Sequence, residues 1–179
     1  WFWDYDLQGN LSTEIDPVGR IQSYTYDAVG QLISVTTPLG SAFQFDYDLD
    51  GSLIRWKDPD GNLTTYEYDA LHRLKVFTDT LGYRTTYGYD PEGNPTQMVD
   101  ARSNTTQYSY DAEGRLTGIT NPAGGTLSYT YDPDGLRETR QDLDGSTFTF
   151  TYDMAGQLTQ AAHSSGANLT LGYHTPGFI

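Results

Sequence analysis

Four segments place two aspartates two residues apart beside a glycine: Asp48-Leu49-Asp50-Gly51, Asp58-Pro59-Asp60-Gly61, Asp132-Pro133-Asp134-Gly135 and Asp142-Leu143-Asp144-Gly145. Hard oxygen ligands gathered at a turn are what calcium takes, and each pair opens as an oxygen-rich loop would. The later ligands and closing glutamate of an EF-hand do not follow. No cofactor and no metal site is assigned from the sequence; calcium is left open, with Asp48, Asp50, Asp58, Asp60, Asp132, Asp134, Asp142 and Asp144 as candidate ligands. Paired acids also hydrolyse glycosides, but across one special constellation. Here eight of the 24 acidic residues belong to one repeated dipeptide, which speaks for turn formation, and no catalytic residue is assigned. Trp3 and Trp56 are the best candidates to stack on sugars, although core packing is the commoner use of aromatic rings. Asn10, Asn62, Asn104 and Asn168 open Asn-x-Ser/Thr sequons, each where a turn passes into a strand.

The elements that position these residues follow from a repeat. Tyr-Asp occurs at Tyr5, Tyr26, Tyr47, Tyr68, Tyr89, Tyr110, Tyr131 and Tyr152, and one further step of 21 residues lands on Tyr173, followed by His174. No insertion interrupts the register. Two residues before each tyrosine stand Trp3, Tyr24, Phe45, Tyr66, Tyr87, Tyr108, Tyr129, Phe150 and Leu171. Four after it stand Gly9, Gly30, Gly51, His72, Gly93, Gly114, Gly135, Gly156 and Gly177, and six after it usually a leucine, with Ile179 last. A second glycine series lies fourteen after the tyrosine, from Gly19 and Gly40 to Gly166, with Ser103 as its exception.

Each period therefore carries two turn signals. Asp accepts from nearby backbone N–H groups, and Gly supplies φ > 0 at no steric cost. The runs between them are rich in Thr, Tyr, Phe, Leu, Ile and Val, residues suited to a pleated surface. In residues 20–26, Gln22, Tyr24 and Tyr26 share one face, and Ile21, Ser23 and Thr25 the other. The reading is all-β: an antiparallel meander of 21-residue repeats, two strands each, forming an extended, spiralling or solenoid-like sheet. A β-solenoid with one coil per rung is the rival geometry. One repeat cannot bury its aromatic face alone, so neighbouring repeats are expected to bury it together. His72, His163 and His174 fall on turn positions of the repeat, and substitution at a turn accounts for each better than acid–base chemistry.

Composition sets the outer limits. Cysteine is absent, which excludes disulfides and thiolate metal sites. The net charge of −14 opposes binding to nucleic acid or anionic lipid. No apolar run approaches 18 residues, so membrane insertion is not expected, and no charged-then-apolar leader opens the sequence. The sequence begins and ends within a repeat, which points to residues 1–179 as a single array of about nine repeats within a longer one. Open sheet edges would pair with further repeats or identical subunits.

The pattern Tyr-x-Tyr-Asp-x-x-Gly-x-Leu, as in Tyr24-Thr25-Tyr26-Asp27-Ala28-Val29-Gly30-Gln31-Leu32 and Tyr108 to Leu116, resembles the YD repeat of the RHS-repeat proteins. The resemblance covers the whole chain. It implies a long antiparallel sheet spiralling into a hollow shell that encloses a toxin or the C-terminal part of the polypeptide, as in bacterial insecticidal toxin complexes and polymorphic competition toxins. Related shells occur in wall-associated proteins and teneurin adhesion receptors. Bacterial members often end in a self-cleaving motif of Asp-Pro-x-Gly-Leu units. Asp132-Pro133-Asp134-Gly135-Leu136 matches one unit, but lies in register with the YD turns and reads as an ordinary turn. The expected function is a non-enzymatic, secreted extracellular or cell-surface repeat module, part of a shell around a toxin. The alternative is a filament or carbohydrate-binding surface fibre.

Overall fold

The computed structural model describes residues 1–173; Gly177, Ile179 and His174 lie outside them. Every described element is a strand or a turn. The chain forms two compact units, Trp1–Tyr87 and Gly88–Ile179. The first contains β1 (Phe2–Tyr5), β2 (Leu11–Ile15), β3 (Ile21–Tyr26), β4 (Leu32–Thr36), β5 (Ala42–Tyr47), β6 (Leu53–Lys57), β7 (Leu63–Tyr68) and β8 (Leu74–Thr78). Strand β9 (Arg84–Tyr89) contains the division. The second contains β10 (Pro95–Val99), β11 (Thr105–Tyr110), β12 (Leu116–Thr120), β13 (Thr126–Tyr131), β14 (Arg137–Gln141), β15 (Thr147–Tyr152), β16 (Leu158–His163) and β17 (Asn168–Thr170).

All pairings are antiparallel and join strands adjacent in sequence. This is the meander. A solenoid would instead stack residues 21 apart in parallel ladders. The strands belong to one 17-stranded sheet. The register places Tyr24 opposite Val35, Val35 opposite Phe43, Phe45 opposite Trp56, and Tyr66 opposite Phe77. Farther along, Tyr108 faces Ile119 and Ile119 faces Leu127. That face is aromatic and aliphatic. The opposite face carries Thr, Ser and Gln, for example Thr25 opposite Ser34 and Thr130 opposite Thr139.

The expected burial of the aromatic face is only partly met. Among the described residues Val76 is the one buried hydrophobic side chain, and it lies on the polar face opposite Thr86. The repeat's rings are mostly half-buried, and Trp3 and Tyr5 are 49% and 58% exposed. The cause is geometric: neighbours in one sheet cover the edges of a ring, while only a second layer covers its outer face. Repeating the pattern lengthens the sheet without adding that layer.

Candidate functional site

Among the described residues the recurring unit of interest is the joint between successive repeats. It starts with the turn. In Asp27-Ala28-Val29-Gly30-Gln31, Gly30 N–H donates to the Asp27 carbonyl at 3.2 Å and Asp27 N–H to the Gln31 carbonyl at 2.9 Å. Gly30 has φ +87°. This is a type I turn closed by a left-handed residue, a common three-residue hairpin connection. Both turn series use it, since Asp16, Gly19 and Arg20 repeat the bonds at 2.9 and 3.1 Å.

The aspartate side chain completes the turn. Asp27 Oδ1 accepts the N–H groups of Val29 and Gln31 at 3.0 and 2.9 Å, while Oδ2 accepts from the Gln31 amide at 3.0 Å. These N–H groups favour the ionised carboxylate. The Gln31 N–H is the foremost reason that Asp27 titrates below the ordinary value of 3.8, and the Arg73 N–H acts likewise on Asp69. Where asparagine stands four residues on, its amide leads: Asn10, Asn62, Asn94 and Asn104 lower Asp6, Asp58, Asp90 and Asp100. Three sequon asparagines, Asn10, Asn62 and Asn104, thus have their side-chain amides engaged.

Two further features mark only the YD hairpins. Thr25 faces Ser34 and Tyr26 faces Leu32, so Ile33 is an extra residue and forms a β-bulge. The same shift precedes Tyr5, Tyr47, Tyr68, Tyr110, Tyr131 and Tyr152. The tyrosine hydroxyl then reaches back 15 residues into the preceding repeat. Tyr26 donates to the Leu11 carbonyl at 3.0 Å, Tyr47 to Leu32 at 2.9 Å, and Tyr68 to Leu53 at 2.9 Å. In the second unit Tyr131 reaches Leu116 at 2.8 Å, Tyr152 reaches Arg137 at 2.9 Å, and Tyr173 reaches Leu158 at 3.0 Å. The acceptor is always backbone, so Arg137 serves as well as leucine. Burial raises the hydroxyl pKa of Tyr47 and Tyr68, keeping them neutral donors.

Rings and cations add local contacts. Tyr66 and Phe77 lie 5.6 Å apart, and Phe43 and Trp56 lie 6.1 Å apart. The Arg115 guanidinium sits 4.8 Å over Tyr131, and Arg140 sits 4.5 Å over Phe148. Of the sugar-stacking candidates, Trp56 is half-buried, while Trp3 stacks on Trp1 and donates to Glu14.

Three of the acidic pairs spend their first aspartate on the turn. Asp48 Oδ1 accepts from Asp50 N–H and Ser52 N–H, Asp58 from Asp60 and Asn62, and Asp132 from Asp134 and Leu136, all at 2.8–3.0 Å. In the fourth, Asp144 accepts from Ser146, while Asp142 Oδ2 accepts from Arg140 at 2.6 Å. Asp132 to Leu136 is an ordinary turn of the series. His163 keeps the aspartate's role in its turn, Nδ1 accepting the Ser165 N–H at 3.2 Å. His72 keeps the glycine's backbone, with φ +58°. Its ring comes together with Asp48 and Asp50, ligand atoms of all three lying within 4.8 Å of one another.

These features define a class: a YD-repeat sheet with paired turns and a tyrosine joint. The family model for the RHS repeat matches residues 5–42, 47–76, 73–105, 89–126 and 110–147. The chain belongs to the RHS-repeat family. Comparison with curated proteins finds no match. Among solved structures, the chain is similar to TcdB2-TccC3 without its hypervariable C-terminal region, with a TM-score of 0.75 and 18% identity over 94% of this chain and 10% of that one. The TcdB2-TccC3-Cdc42 structure gives 0.72 and 18%, covering 93% and 11%. A mutant Tc holotoxin pore of Photorhabdus luminescens gives 0.69 and 19%, covering 95% and 10%. The chain spans about a tenth of the length of these neighbours.

Proposed function

We propose that residues 1–179 form a single, non-enzymatic structural array, one wall section of an RHS/YD-repeat shell that encapsulates or presents a toxin or C-terminal cargo outside the producing cell. The single observation that carries this is the repeated joint. The same turn, bulge and tyrosine bond recur from repeat to repeat, whereas a catalytic site needs one constellation unlike its surroundings. The likeness to Tc toxin structures supports the fold of such a wall. In this reading the half-covered aromatic face is the side that other repeats or the cargo complete, and the acidic surface keeps the wall soluble.

The test is electron microscopy of the chain within its full parent reading frame, together with protease treatment. Closed hollow particles with a protease-protected C-terminal segment are expected. Particles without a lumen, or a segment digested at the rate of the isolated segment, overturn the shell. The uninterrupted 21-residue register also suits a filament of identical subunits joined at sheet edges, and threads of uniform width would establish that reading instead.

A further inference from the structure

We propose that Asp48, Asp50 and His72 form a surface site for one divalent transition-metal ion of the zinc type, bridging two successive repeats. Asp48 and Asp50 lie in the YD turn after β5, and His72 lies one period after Gly51, in the YD turn after β7. His72 Nε2 is 3.9 Å from Asp50 Oδ2, and the ligand atoms of the three residues lie within 4.8 Å of one another. Among the described residues no other group of three His, Asp or Glu side chains converges in this way.

The donor set selects the ion. Calcium takes six to eight oxygens in known sites, whereas an imidazole with two carboxylates suits zinc and its first-row neighbours. Ligand atoms around a tetrahedral ion with bonds of about 2.0–2.2 Å stand roughly 3.4 Å apart. His72 and Asp50 are 53% and 68% exposed, so rotamer adjustment closes the remaining gap. Asp48 is pre-positioned, because its Oδ1 already accepts two backbone N–H groups, leaving Oδ2 for the metal. Water fills the fourth position of such three-ligand sites. Two carboxylates and a divalent ion leave no net charge at the site.

The protein contains its own control. Asp132 and Asp134 repeat the Asp48–Asp50 arrangement with the same backbone bonds, but one period after Gly135 stands Gly156 instead of histidine. The aspartate pair is thus present twice in the YD series, and of these two only the copy beside His72 has an imidazole nitrogen donor.

The experiment is calorimetric titration of the chain with Zn²⁺, with Co²⁺ visible absorption as a second readout. One equivalent of tight Zn²⁺ binding is expected, not displaced by an equal concentration of Ca²⁺. His72→Gly restores the repeat's own residue, and His72→Asn keeps a side chain that tolerates positive φ. Either change should weaken the site about tenfold or more, as loss of one of three ligands demands, with circular dichroism unchanged. Asp50→Asn should weaken it likewise, and Asp134→Asn should not. Histidine ring NMR signals should move for His72 and stay for His163. Absence of the tight equivalent, wild-type affinity in both His72 variants, equal losses in Asp50→Asn and Asp134→Asn, or a zinc-induced shift at His163 instead would each overturn the proposal.

Discussion

The hairpins of each repeat share a turn and differ in everything behind it. Between β2 and β3 the ladder runs evenly, with Thr13 opposite Ser23, Glu14 opposite Gln22 and Ile15 opposite Ile21. Between β3 and β4 it slips at Tyr26, and the tyrosine that follows the slip bonds to the repeat before it. The first hairpin only reverses the chain. The second, with the same Asp and Gly, also ties one repeat to the next. The tying function therefore resides in the bulge and the hydroxyl, and the turn residues common to both hairpins do not supply it.

The comparison breaks most sharply at the tyrosine. Tyr68→Ala should cost about 3 kcal/mol by removing a half-buried ring and its bond to Leu53, while Lys57→Ala, at the corresponding place before the other turn, should change stability by under about 0.5 kcal/mol. Urea denaturation of the two variants measures this. The shared turn predicts equality instead. A Cβ at position 19 meets nothing within 4 Å and one at position 30 meets only the Asn10 Oδ1, at an unstrained 3.9 Å, while Gly19→Val and Gly30→Val both force a branched residue to positive φ, at φ +81° and +87°. Each should cost about 2 kcal/mol, and unequal values would show that the two turns are not equivalent.

Removing only the hydroxyl isolates the tie. Tyr68→Phe should lose about 1 kcal/mol, and Tyr66→Phe, whose ring packs on Phe77, clearly less. A double-mutant combination with Tyr47→Phe should be additive if each joint acts separately. Smallest per residue is the effect of acid. Asp27, Asp69, Asp6 and Asp58 are depressed in the folded state from 3.8, foremost by the N–H and amide donors of the residue four positions on. Their contribution is complete above the unfolded value and is lost as pH falls below it toward the folded values. Thermal melting should be level near neutrality and decline steeply below about pH 4. Asp27→Asn and Asp58→Asn should flatten that decline to a similar degree, because the same turn holds both.

The turns, the two strands per repeat and the shared face of Tyr24 and Tyr26 were legible because each depends on residues within one period. The bulge was not. Ile33 sits at an ordinary strand position by composition, and its extra place in the ladder appears only when Thr25 and Tyr26 are paired across to Ser34 and Leu32. The tyrosine bond depends on that pairing and on a backbone carbonyl, and carbonyls leave no trace in residue identity, as Arg137 illustrates. Burial misled for another reason: alternation reveals which side chains share a face, and says nothing of what covers it. The meeting of His72 with Asp50 did have a signal, the 21-residue step from Gly51 to His72, whose meaning required knowing that equivalent turns lie side by side.

The reach of the tyrosine to the previous period has an evolutionary corollary. Because the six tyrosine donors and their backbone acceptors lie in successive modules, duplicating or deleting 21 residues by unequal recombination leaves these hydroxyls supplied and their ladders in phase. Gene length in such a protein becomes adjustable in whole modules at almost no thermodynamic penalty, while a gain or loss of a single codon severs a tie.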